Sequence, residues 1–85
     1  MEYKVTLAAS ALREFRALSG DIKNRVKSTI ERLRKNPRPS GIRKIQGREN
    51  LYRLRVGSYR LVYEVDDMRG TIHLVRVRHR RDAYR

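Results

Sequence analysis

LYRLRVGSYRLVYEV, residues 51–65, decides the fold. Tyr52, Leu54 and Val56 alternate with Arg53 and Arg55, the period of a strand with one face buried. Gly57-Ser58 then interrupts, and a glycine free to take positive φ suits a two-residue hairpin turn. Tyr59–Val65 resumes the strand pattern, Asp66–Gly70 reads as the next turn, and Thr71–Arg78 as a third strand. Three strands with short connections predict an antiparallel meander.

Upstream the periodicity changes. Glu2–Leu7 alternates, with Tyr3, Val5 and Leu7 against Glu2, Lys4 and Thr6, which predicts a short first strand. Ala8, Ala11, Leu12, Phe15 and Leu18 recur at helical spacing and predict a helix from about Ala8 to Leu18. Ser19-Gly20-Asp21 breaks it, and Asp21 can cap a second helix whose apolar stripe is Ile22, Val26, Thr29, Ile30 and Leu33. Asn36-Pro37-Arg38-Pro39-Ser40-Gly41 ends that helix, because proline lacks the N–H and clashes with the preceding turn. A loop through Gln46–Asn50 leads into the meander. The expected architecture is α+β: an amino-terminal strand, a two-helix antiparallel hairpin and the meander, with the helices on one face of a mainly antiparallel sheet. Residues 1–85 form one expected domain, with no internal repeat or linker.

A chain of 85 residues buries only roughly 60–65% of its unfolded surface, so the core is thin. There is no cysteine, hence no disulfide or thiolate metal site. No apolar run approaches the roughly 18 residues of a membrane span, and Met1–Leu7 has no signal-peptide core, so a soluble, cytoplasmic protein is expected. The net charge is +13, from 22 basic and 9 acidic residues. Seventeen of the basic residues are arginines, whose planar fork suits phosphate. Such an imbalance draws polyanions, so nucleic acid or an acidic protein is the expected partner.

The meander gathers this charge. Arg53 and Arg55 must share a face of their strand, Arg60 can join them across the turn, and Arg76, Arg78 and Arg80 share one parity near the end of the chain. Like charges directly opposite destabilise a sheet. The face is either a solvated polar surface or a site waiting for an anion. Lys44, Arg48 and Arg81 are further candidates for RNA contact. No metal or cofactor is expected: His73 and His79 stand six apart without cysteine, and Gly41, Gly47 and Gly57 are isolated turn glycines. Cleavage of RNA without a metal is the chemistry that remains. Fixed guanidiniums would hold the scissile phosphate and the charge that builds on it. Arginine does not release its proton, so His79 and Tyr84 are the candidates for proton transfer.

Two motifs carry a resemblance. The hairpin Y-R-x-R-x-G-x-Y-R-x-x-Y from Tyr52 to Tyr63 and the terminal H-R-R-x-x-Y from His79 to Tyr84 resemble the RelE branch of the RelE/ParE toxin superfamily, and the likeness extends over essentially the whole chain. The resemblance implies a toxin of a type II toxin–antitoxin pair that enters the ribosomal A site and cuts messenger RNA there without a metal. It implies an active surface on the open sheet face at Arg53, Arg55, Arg60, Arg80 and Tyr84. It also implies a cognate, acidic antitoxin encoded beside the toxin gene, the complex binding its operator DNA through the antitoxin. The sequence departs from the pattern at Arg53 and Arg55, which are lysines in the best-studied RelE toxin. Those two arginines would then be limited to phosphate binding and charge stabilisation, and the acid/base burden would move to His79 or Tyr84. The chain ends one residue after Tyr84, so a carboxyl-terminal helix of longer relatives would be missing. Two other functions fit parts of the pattern: a ParE-like gyrase inhibitor, and a non-catalytic basic module that binds RNA or an antitoxin.

Overall fold

The computed structural model describes residues 2–79. Strand β1 (Lys4–Leu7) is followed by helices α1 (Ala9–Arg16) and α2 (Gly20–Lys35), then β2 (Arg43–Lys44), β3 (Leu51–Val56), β4 (Tyr59–Asp66) and β5 (Thr71–His79). The strands form one sheet in the order β1-β5-β4-β3-β2. The architecture is α+β, two helices on a five-stranded sheet.

The sheet is mixed rather than a pure meander. β3, β4 and β5 are antiparallel neighbours, but β1 lies parallel to β5, Lys4 opposite Thr71 and Leu7 opposite Leu74. Local periodicity cannot report that pairing, because it joins the two ends of the chain. Strand β2 is a second departure: Arg43 pairs with Arg53 and Lys44 with Tyr52 inside a segment that reads as loop. Two residues are too few to show a period.

The helices form where their apolar stripes meet the sheet. Ala11 from α1, Leu18 just past its end at Arg16, and Val26 and Leu33 from α2 are buried against Val56, Leu61, Tyr63, Val65, Ile72, Leu74 and Val77. Leu12, expected in the stripe, sits at its rim and is 37% exposed. Ser19 rather than Asp21 occupies the N-cap position of α2; Asp21 lies in the first turn, where a carboxylate meets the positive end of the helix dipole. Gly57 turns from β3 to β4 with φ of +58°, a conformation that side chains with a Cβ rarely adopt.

Strand β5 contains the feature that reconciles its sequence with two faces. Strict alternation would put Ile72 and Leu74 on the same side as Arg76 and Arg78. Instead Val62 pairs with Arg76 while Tyr63 pairs with Leu74, which leaves Val75 as a bulge. The extra residue resets the parity, so Ile72 and Leu74 before it and Val77 after it all reach the core. Arg76 and Arg78 take the open face.

Tyr63 is fully buried and donates its phenol hydrogen to the Pro37 carbonyl at 2.9 Å, tying the end of α2 to the central strand. Burial pushes its pKa up to about 12, with the neighbouring Tyr52 adding to the rise. A tyrosine in the unfolded chain ionises near 10. The raised folded value means that this contribution is whole below pH 10 and is lost as pH climbs from 10 through 12, a loss on the order of 2–3 kcal/mol. Urea titrations at pH 8 to 12 are expected to show this decline, and Tyr63→Phe is expected to flatten it while costing about 1 kcal/mol at neutral pH for the lost hydrogen bond.

Candidate nucleic-acid interface

The face of the sheet away from the helices carries the arginines in rows set by strand register. Arg55 lies opposite Arg60, and Arg60 opposite Arg78, so three guanidinium-bearing residues stand side by side on β3, β4 and β5. The next row runs Arg43, Arg53, Val62 and Arg76. Gly41, Arg43, Arg53, Arg55 and Arg60 line a shallow cleft of about 280 Å³. Arg53, Arg55 and Arg60 thus come together as expected. Arg43 is the residue that sequence reasoning missed; only its pairing with Arg53 brings it to the cleft.

Arg43, Arg53 and Arg55 are exposed, and none of the ion pairs among the described residues involves them. Folding does not call for such a row, since directly opposed like charges cost stability. The arrangement sets several N–H forks around one solvent-open volume, a donor set suited to a phosphodiester.

A second cluster lies at the end of α2. Arg38, just beyond α2, donates to both oxygens of Asp67 at 3.1 and 2.8 Å and to the Tyr52 hydroxyl at 3.0 Å, while Tyr3 donates to Asp67 at 2.8 Å. The Arg38 guanidinium also lies over the Tyr52 ring, 5.3 Å from its centre. These contacts tie the turn between β4 and β5 to the segment that leads from α2 into β2. Hydrogen bonds from Arg38 and then Tyr3 hold the Asp67 carboxyl below its usual range. The same carboxylate raises the pKa of Tyr3 and of Arg38. Asp67, read from sequence as a turn residue, is the anchor of this network.

The remaining expected contacts are divided. Arg78 joins the row through Arg60. Arg76 is drawn to Glu14 of α1, 3.2 Å away. Lys44 is exposed at the β2 edge and pairs with Tyr52, on the opposite parity from Arg43; Arg48 is exposed in the turn that follows. Among the described residues His79 does not join the arginine row. It pairs with Tyr59, whose strand parity is that of the core residue Leu61, and the two rings meet edge-on at 5.1 Å. Arg80, Arg81 and Tyr84 lie outside the described residues. No helix among the described residues is long and apolar enough to cross a membrane.

Comparison with known proteins agrees with this geometry. Residues 5–84 match the family model described as ParE toxin of type II toxin-antitoxin system, parDE. Toxin RelE3 of Methanocaldococcus jannaschii is 36% identical over 85 residues, covering 95% of this chain and 94% of that protein. The archaeal RelE–RelB complex from Pyrococcus horikoshii superposes with a TM-score of 0.83 at 25% identity, over 94% of this chain and 97% of that one. The RelB–RelE antitoxin–toxin complex from Methanococcus jannaschii gives 0.76 at 33% identity, over 92% and 93%.

Proposed function

The chain belongs to the ParE toxin family of type II toxin–antitoxin systems, on its RelE branch, and from that premise we propose that it is a ribosome-dependent endoribonuclease that cuts messenger RNA in the A site. The observation that supports this reading is the cleft of Arg43, Arg53, Arg55 and Arg60, with Arg78 beside it, on the sheet face that the helices leave open. In the proposed reaction the ribose 2′-hydroxyl attacks the adjacent phosphorus, negative charge grows on the non-bridging oxygens, and the bond to the 5′-oxygen breaks. Guanidiniums already in place stabilise that charge without reorganising. They cannot take the proton from the 2′-hydroxyl. With His79 against Tyr59 on the other face, the proton-transfer role falls to Tyr84, and Arg80 serves as a further phosphate clamp. No metal or cofactor takes part in this scheme.

The relatives named for RelE–RelB complexes support a cognate antitoxin as the partner of this chain. An acidic segment laid over the arginine face would neutralise it by the same charges that attract RNA. The complex would act on its operator DNA through the antitoxin.

The test is induction in bacteria followed by mapping of messenger RNA 5′ ends. Cuts phased with codons, lost in Arg80→Ala and Tyr84→Phe, are the expected result. A DNA-damage response with intact messages would replace the nuclease by a gyrase inhibitor. Unimpaired growth with intact messages would leave a basic binding module.

A further inference from the structure

Strand β1 pairs with β5 only from Thr71 to Leu74. Beyond that point the outer edge of β5 has no strand beside it among the described residues, yet this is the stretch that presents Arg78 to the cleft. A frayed edge here would blur the arginine row, and repulsion among Arg55, Arg60 and Arg78 favours fraying.

Helix α1 supplies what β1 does not. Ser10 Oγ donates to the Val75 carbonyl at 3.0 Å, and Glu14 Oε1 accepts the Val77 backbone N–H at 2.8 Å. The second oxygen of Glu14 lies 3.2 Å from Arg76 Nη2. The two side chains are only 24% and 34% exposed, so solvent screens their attraction less than on an open surface. Arg76 Nε is buried without a hydrogen-bond partner. Arg76 would escape that cost by swinging into water; its pairing with Glu14 holds it in.

We infer that Glu14 is a positioning residue for the arginine site. It clamps the end of β5 through a backbone amide and through Arg76, and so fixes the register that sets Arg78 beside Arg60. The carboxylate touches no RNA; it acts through the strand. Its effect on cleavage rests on the nuclease reading above, whereas the clamp itself does not.

The experiment compares wild type, Glu14→Gln and Glu14→Ala by amide hydrogen exchange and by messenger RNA cleavage on programmed ribosomes. In Glu14→Ala the Val77 amide is expected to exchange at least about tenfold faster while Leu61 and Val65 stay protected, the mark of local opening. Glu14→Gln keeps an acceptor for the Val77 N–H but no charge for Arg76, and is expected to fall between the two; it also decides the matter should the alanine variant fail to fold. The maximal cleavage rate should drop about 10- to 100-fold, the scale of a small misplacement in a site. The toxin concentration for half-maximal rate should move less than about threefold, since every guanidinium remains. Equal exchange in all three proteins overturns the clamp. Faster exchange with an unchanged maximal rate, or a loss confined to the half-maximal concentration, overturns the positioning role. A wild type that does not cut sinks the nuclease reading instead, and the exchange rates alone then decide the clamp.

Discussion

Arg60→Ala is expected to reduce messenger RNA cleavage by about 10²- to 10³-fold, the usual cost of deleting one pre-placed donor at a developing oxyanion. Arg60 is the middle member of the row, with Arg55 on one side and Arg78 on the other, and it lines the cleft. The same substitution relieves two directly opposed like-charge pairs and removes no buried core group, so stability should change by no more than about 1 kcal/mol. Lost activity without lost stability is the combination to look for. It is checked by single-turnover cleavage and a urea titration on one preparation. Cleavage at the wild-type rate would remove the row from the mechanism.

The residue next in sequence should behave in the opposite way. Leu61 is fully buried in β4, between the two antiparallel neighbours of the sheet and beneath the helices. Leu61→Ala is expected to cost about 2–5 kcal/mol, the transfer of the lost methyl groups plus the cavity left behind. A domain of this length has only about 4–13 kcal/mol in total. The variant should melt at least about 10 °C lower, at the roughly 4–8 °C per kcal/mol of a domain this size. A urea midpoint lowered with an unchanged slope would show that the loss is in the native core and not in the denatured state. Activity measured at low temperature, where enough protein is folded, should stay near wild type per folded molecule, because the side chain points away from the cleft.

Much of this was open to reading in the sequence. The helix stripes were legible because Ala11, Val26 and Leu33 repeat at the helical period, and Asn36-Pro37 stops α2 by a local steric rule. The grouping of Arg53, Arg55 and Arg60 followed from alternation and a two-residue turn, both local properties. What escaped was set by distant contacts. The parallel place of β1 depends on pairing with residues more than 60 positions away, and Arg43 reaches the cleft only through its pairing with Arg53. The bulge at Val75 left a sign that could have been noticed. Ile72 and Leu74 share even parity with Arg76 and Arg78, and a two-faced strand cannot hold both sets without an extra residue. The place of His79 opposite Tyr59 also follows from parity: one residue past Arg78, it must face the other way.

That extra residue has a consequence for how such a protein can change over time. Point substitutions at residues 53, 55, 60 and 78 leave the core residues between them untouched, so the ligand taken by the open face can drift while the scaffold persists. Absorbing the bulge at Val75 into the ladder is a different event. Pairing Val75 regularly with no residue lost would turn Arg76 and Arg78 inward and Val77 outward in a single step, exchanging both faces of the strand end. The lineage can therefore vary its arginines one at a time, but Val75 must either stay out of the ladder or be lost outright.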